Sequence, residues 1–179
     1  MKLAFSSVVA VLYLACGTLG ASDKFASVGN SPFKPVKFEK HEGGTTHFSG
    51  SAEVSGRFVI SWWNEEEDLI RIKLLPDEKS KALLPYLATG LPASAQGLEV
   101  AELEFEGSKS NVRKLLSPEK SKAFLSKRVR EATGFANVRI KNYMSGVDCD
   151  NRWYMAKLLD VRQARNQMLA AKSNEHFRC

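Results

Sequence analysis

The chain has 179 residues, 44% of them apolar and 26% charged, with a formal net charge of +6 at pH 7. That length supports one ordinary domain with its own core and excludes two large ones, and the composition excludes a disordered chain. The charge favours encounter with anionic company (a lipid surface, envelope polymer, nucleic acid or acidic protein) but defines no site, because net charge governs solubility and approach rather than recognition.

Lys2, an apolar run from Leu3 to Ala15 and small residues through Ser22 open the chain. This is the pattern of a secretory signal peptide over residues 1–21, with cleavage after Gly20 or Ser22. The run is too short to span a bilayer comfortably, and no later segment is long and apolar enough. Lipid attachment at Cys16 is the alternative, although Tyr13 and Leu14 suit a lipoprotein signal poorly. Export to the periplasm or the medium is therefore expected, with a lipid-anchored form as the second option. The remaining cysteines, Cys149 and Cys179, then form an even pair in an oxidising compartment and predict a disulfide.

Residues 22–40 mix small polar residues with Gly and Pro and read as a linker or arm. From Thr46 to Trp62 the even positions include Phe48, Ala52, Val54, Phe58, Ile60 and Trp62, while the odd ones are mostly polar. Such alternation predicts a half-buried strand, long enough to need a bend or bulge near Gly50 or Gly56. A polar turn over Asn64–Asp68 leads into a second strand carrying Ile70, Ile72 and Leu74, so the two predict a hairpin. Asp77 then caps a helix that Pro85 stops early.

The second half repeats this order. Ala101, Leu103 and Phe105 alternate with glutamates as a strand, and NVRKLL (111–116) reads as its partner. Ser117 at the N-cap and Pro118 at the first helical position start a helix expected to run to Gly134, with Leu125, Val129 and Ala132 as its buried stripe. KLLPDEKSKALL (73–84) and KLLSPEKSKAFL (114–125) agree at nine of twelve positions, each at a predicted strand-to-helix junction. The expected fold is α+β: a mainly antiparallel sheet with two helices on one face, built from an internally duplicated strand–strand–helix unit. The domain spans 41–163, with repeat units at about 46–90 and 97–134, a closing hairpin at 136–162 and a tail over 164–179.

No nucleophile elbow, phosphate loop or dinucleotide fingerprint is present. Ser-x-x-Lys occurs at Ser31–Lys34 and Ser117–Lys120 without the companion motifs of penicillin-recognising enzymes. His41, His47 and His176 lack zinc spacing, and Asp148, Asp150 and Glu65–Asp68 lack calcium-loop spacing, so neither metal nor cofactor is expected. Lys79/Lys81 and Lys120/Lys122 could hold anions but read better as solvated helix faces. A small hydrolase or transferase using His47 and Glu53 is the alternative, and it needs a bend to bring them together. The preferred reading is a non-enzymatic binding module, inhibitor-like in format, for a protein or anionic envelope component. Its candidate surface is an outward sheet face carrying Trp63, with Arg57, Lys73, Arg152 and Tyr154 around it, since exposed aromatic and basic residues mark interfaces.

Overall fold

The computed structural model describes residues 31–40, 44–85, 100–148 and 151–171. The signal peptide, Cys16, Cys149, Cys179, His41, Asp150 and His176 lie outside the described residues. In chain order the strands are β1 (Lys34–Glu39), β2 (Thr45–Ser49), β3 (Ser51–Asn64), β4 (Leu69–Pro76), β5 (Leu103–Phe105), β6 (Val129–Asp148) and β7 (Asn151–Ala171). The helices are α1 (Glu78–Lys81), α2 (Lys109–Leu115) and α3 (Pro118–Leu125). No helix among the described residues is long and apolar enough to cross a membrane.

The alternation along β3 folds as its pattern dictates: Ala52, Val54, Gly56, Phe58, Ile60 and Trp62 are buried and the intervening residues face outward. The expected bend lies at Gly50, whose φ of +113° separates β2 from β3. A β carbon there would sit 2.3 Å from the Pro32 carbonyl oxygen, so both backbone conformation and space demand glycine.

Strand order is β1-β2-β6-β3-β4-β5-β7, and β6 also pairs with β7. β3, β4, β5, β7 and β6 thus close into a ring, from which β2 and β1 extend. All ring pairings are antiparallel except β5 with β7, where Glu104 meets Met155 and Phe105 meets Ala156 in parallel register. Closure leaves none of the five ring strands as an open edge, and β1 forms the edge of the extension. The interior matches large side chains with small ones: Phe58 of β3 faces Gly134 of β6, where a β carbon would lie 2.5 Å from the Phe58 ring. Ala132 and Ala136 flank that glycine and face Ile60 and Gly56. Small residues on one strand therefore make the room that the rings of the next one fill.

Aromatic clusters sit at opposite ends of the β3–β6 ladder. At one, Trp62 stacks on Phe124 of α3 with ring centroids 5.0 Å apart and planes 5° from parallel. At the other, Tyr143 lies between Phe33 and Phe48 at 5.1 and 5.2 Å. Val112, Leu115, Leu116 and Phe124 bury the inner sides of α2 and α3.

Four sequence expectations change. NVRKLL is in α2, capped by Ser108, and not a strand, because Val112, Leu115 and Leu116 follow helical spacing and reach the core together. α3 stops at Leu125, and the segment expected to continue it is β6, whose Ala132, Gly134 and Ala136 pair with β3. Part of the expected arm is β1, paired with β2, and part of the expected tail is the end of β7, paired with β6. Among the described residues the strand–strand–helix unit is not seen to recur: the first copy of the repeated phrase begins in β4 and the second in α2. What the copies share is a capped helix start with a buried serine, Ser80 or Ser121.

Those serines do different work. Ser80 Oγ accepts from the Ser55 amide of β3 at 2.7 Å, just where β4 ends, whereas Ser121 Oγ donates to the Pro118 carbonyl one turn back. Ser80→Ala leaves a backbone donor unmet and should cost about 1–3 kcal/mol, while Ser121→Ala should cost under about 1 kcal/mol. Chemical denaturation of both variants checks this, and equal losses would contradict it.

Candidate functional site

Trp63 owes its exposure to a β-bulge. Trp62 pairs with Ile70 and Asn64 with Leu69, so Trp63 is the extra residue between them. A bulge re-aims the side chain it carries, and this indole is 73% exposed. The adjoining turn is firmly tied. Asn64 Oδ1 accepts from the amides of Glu66 and Glu67 at 2.9 and 3.3 Å. Asp68, at φ 57°, pairs with Lys109 at 3.0 Å and Lys127 at 2.7 Å. Hydrogen bonds from Lys127 first, then Lys109, hold its carboxyl below the usual range. Each lysine takes one of the two carboxylate oxygens of Asp68.

Around Trp63 the outward face of β3, β4, β6 and β7 combines apolar and basic residues. The Arg71 guanidinium lies 5.5 Å from the Trp63 ring and is held by Glu104 at 2.9 Å. Lys73 pairs with Glu102 at 2.5 Å and sits 3.8 Å from Glu104. One row further on, Leu75, Arg57, Phe135 and Arg165 stand side by side across four strands. Arg165 covers the Phe135 ring at 5.0 Å, and no carboxylate among the described residues pairs with Arg57. Val59, Thr133 and the 68% exposed Met168 fill the row between.

Three of the five residues singled out by the sequence, Trp63, Arg57 and Lys73, thus share this face. Tyr154 does not, because its position in β7 points inward and leaves it 7% exposed. Arg152 pairs in register with Val147, at the β6–β7 turn, and is half-buried. Trp153 points outward but its ring lies over Gly146, where a β carbon would approach within 2.3 Å of it. Phe135, Arg165 and Met168 were missed. The alternation of Phe135, Asn137 and Arg139 with Ala136, Val138 and Ile140 carried the signal for the first of them.

His47 and Glu53 do not form a pair. His47, on β2, lies with Nε2 3.4 Å from Glu39, while Glu53, on β3, meets Arg162 at 3.2 Å. The repeated lysines are partly used in structure, Lys81 by Glu78 and Lys120 by the carbonyl of Gln167. Protein-family models, curated proteins and solved structures were compared with the chain, and none matches.

The strongest resolved acid shift belongs to Glu39, held down to about 2 by the hydrogen bond from Lys37 and then by His47. A depressed carboxylate stabilises the fold fully above its ordinary value near 4.5, and that contribution disappears as pH falls through about 2. Carboxyl-carbon NMR should place the Glu39 midpoint near 2, and Glu39→Gln should flatten the acid side of the stability curve between those values. A midpoint near 4.5 would show that the β1–β2 pairing does not hold this carboxylate in solution.

Proposed function

We propose that this protein is a non-enzymatic binding module that docks a protein partner on the outward face of β3, β4, β6 and β7, with Trp63 as anchor. The observation that carries this is the bulged, 73% exposed indole beside a patch of Val59, Leu75, Phe135 and Met168 flanked by arginines. Trp, Met, Phe and Arg are the residues enriched where protein interfaces hold their energy. Arg71 and Lys73 are already neutralised by Glu102 and Glu104, which favours a protein over a polyanion as the occupant.

Fold-level analogy bears on the location only. Counted from β3, the ring is a five-stranded barrel whose second and third strands are β4 and β5, with helices before its last two strands. Five-stranded Greek-key barrels of the OB type bind extended ligands on their second- and third-strand face, next to the residues named here. Export through residues 1–21, a Cys149–Cys179 disulfide and an inhibitor-like role remain part of the proposal. The enzyme alternative loses its one concrete arrangement with the separation of His47 from Glu53.

The full chain, immobilised and exposed to extract from its native source, should retain one protein in near-stoichiometric yield through about 0.5 M salt, where surface charge is heavily screened. Trp63→Ala should weaken that complex by about 2 kcal/mol or more, roughly 30-fold, as removal of a central anchor does. The same variant should unfold within about 0.5 kcal/mol of the parent, because the ring contributes little to the core. His47→Ala should bind normally. Undiminished retention by Trp63→Ala, or retention of polyanions alone and only at low salt, would overturn the proposal.

A further inference from the structure

Strand register assembles three soft ligands that are far apart in the sequence. His47 of β2 pairs with Met144 of β6, and Met144 pairs with Met155 of β7. The three stand in one row across adjacent strands, and all line the same cleft of about 530 Å³, with Glu106 on its wall. Their inward neighbours Phe48, Tyr143 and Tyr154 are buried, so the row belongs to the outer surface of the sheet. The chain has four methionines, and this cleft takes two of them together with one of three histidines.

The imidazole is also poised for a ligand. His47 Nε2 is buried and has no hydrogen-bond partner among the described residues. Its nearest charged neighbour is a Glu39 oxygen at 3.4 Å, an ion-pair contact that a bound metal would displace.

We propose that His47, Met144 and Met155 form a binding site for a soft monovalent metal ion, Cu(I). The site does not rest on the docking face described above. Thioether donors select Cu(I), whereas zinc draws its ligands from thiolate, imidazole and carboxylate groups and the hard divalent ions from oxygen. Among the described residues no group of three His, Cys, Asp or Glu side chains could serve those ions. Spacing agrees. Neighbouring strands lie about 4.8 Å apart, so the outer two members of the row are about 10 Å apart at their β carbons. A metal above the central Met144 is within reach of both at bond lengths of about 2.0–2.3 Å. Glu106 and Lys157 line the same cleft, and Glu39, beside His47, is paired with Lys37. Sequence spacing could not reveal the site, because its members are separated by 97 and 11 positions and meet only through pairing.

Anaerobic titration of the full chain, its free cysteine thiols alkylated beforehand, with Cu(I) against the chromophoric chelator bicinchoninate tests this. One Cu(I) per chain should bind, and Met144→Leu and Met155→Leu should each weaken it by about tenfold or more, the loss expected at a metal site. Met168→Leu, outside the cleft, should change nothing. Because a leucine variant can also disturb packing, methionine methyl NMR of the unaltered chain with Ag(I) is the second measurement. The methyls of Met144 and Met155 should shift while that of Met168 stays in place. No competition with the chelator, undiminished affinity in both leucine variants relative to the unaltered chain, or a shift confined to Met168 would overturn the assignment. Binding of Zn(II) or Cu(II) that leaves the methionine methyls unmoved would overturn it as well.

Discussion

Everything in this molecule depends on β5 and β7 meeting in parallel. β5 has only three residues, Leu103–Phe105, yet it is the link between β4 and β7 that turns a sheet into a ring. β3 and β7 each pair with β6 along most of its length, so β6 carries ladders on both sides and cannot slip without exposing Val138 and Ile140. The parallel junction also dictates where the helices go. A chain leaving β5 must cross an end of the barrel before it can return as β6, and α2 and α3 make that crossing with their apolar sides turned inward. The Trp62–Phe124 stack then fixes the crossing to β3.

The same constraint shapes the outer surface. A closed ring has one inside, so every outward residue of five strands shares a single curved exterior. Trp63 and the Phe135 row occupy one part of it, and the His47–Met144–Met155 row occupies another, beyond β5. Long strands can wrap such a curve only with local breaks. β6 and β7 contain them at Asn142 and Asn166, both at positive φ, a conformation asparagine tolerates better than most residues. The Asn142 break lies between Lys141 and Met144, and it sets the face on which Met144 emerges.

How much of this the sequence disclosed follows the range of the forces involved. The alternations of β3, β4 and β5 are local and were legible as strands, β4 to within a residue, although β2 and β3 were read as one strand and β5 is only Leu103–Phe105. Trp63 was legible as an outward residue for the same reason. β6 was not. Its first half reads Val-Arg-Glu-Ala-Thr-Gly-Phe-Ala, with Ala and Gly at inward positions that have little intrinsic strand preference, because those positions must be small for Phe58 to fit. Tertiary pairing overrides the helical composition there. Val112, Leu115 and Leu116 carried a helical spacing that a six-residue window left ambiguous. The neighbours of Trp63, and the whole methionine row, come from register between strands as far apart as β2 and β7, and no single stretch of chain encodes that. Tyr154 shows the limit of parity arguments: one residue of register decides whether a ring faces solvent or core.

The most direct test is a set of cross-strand nuclear Overhauser contacts at the ring's short link. With β5 paired in parallel to β7, backbone protons near Glu104 and Phe105 should contact those near Met155 and Ala156, and the amides of this pairing should exchange slowly with solvent. Contacts along β3–β6 and β6–β7 without any at β5–β7, together with fast exchange there, would show an open sheet and contradict the closed barrel.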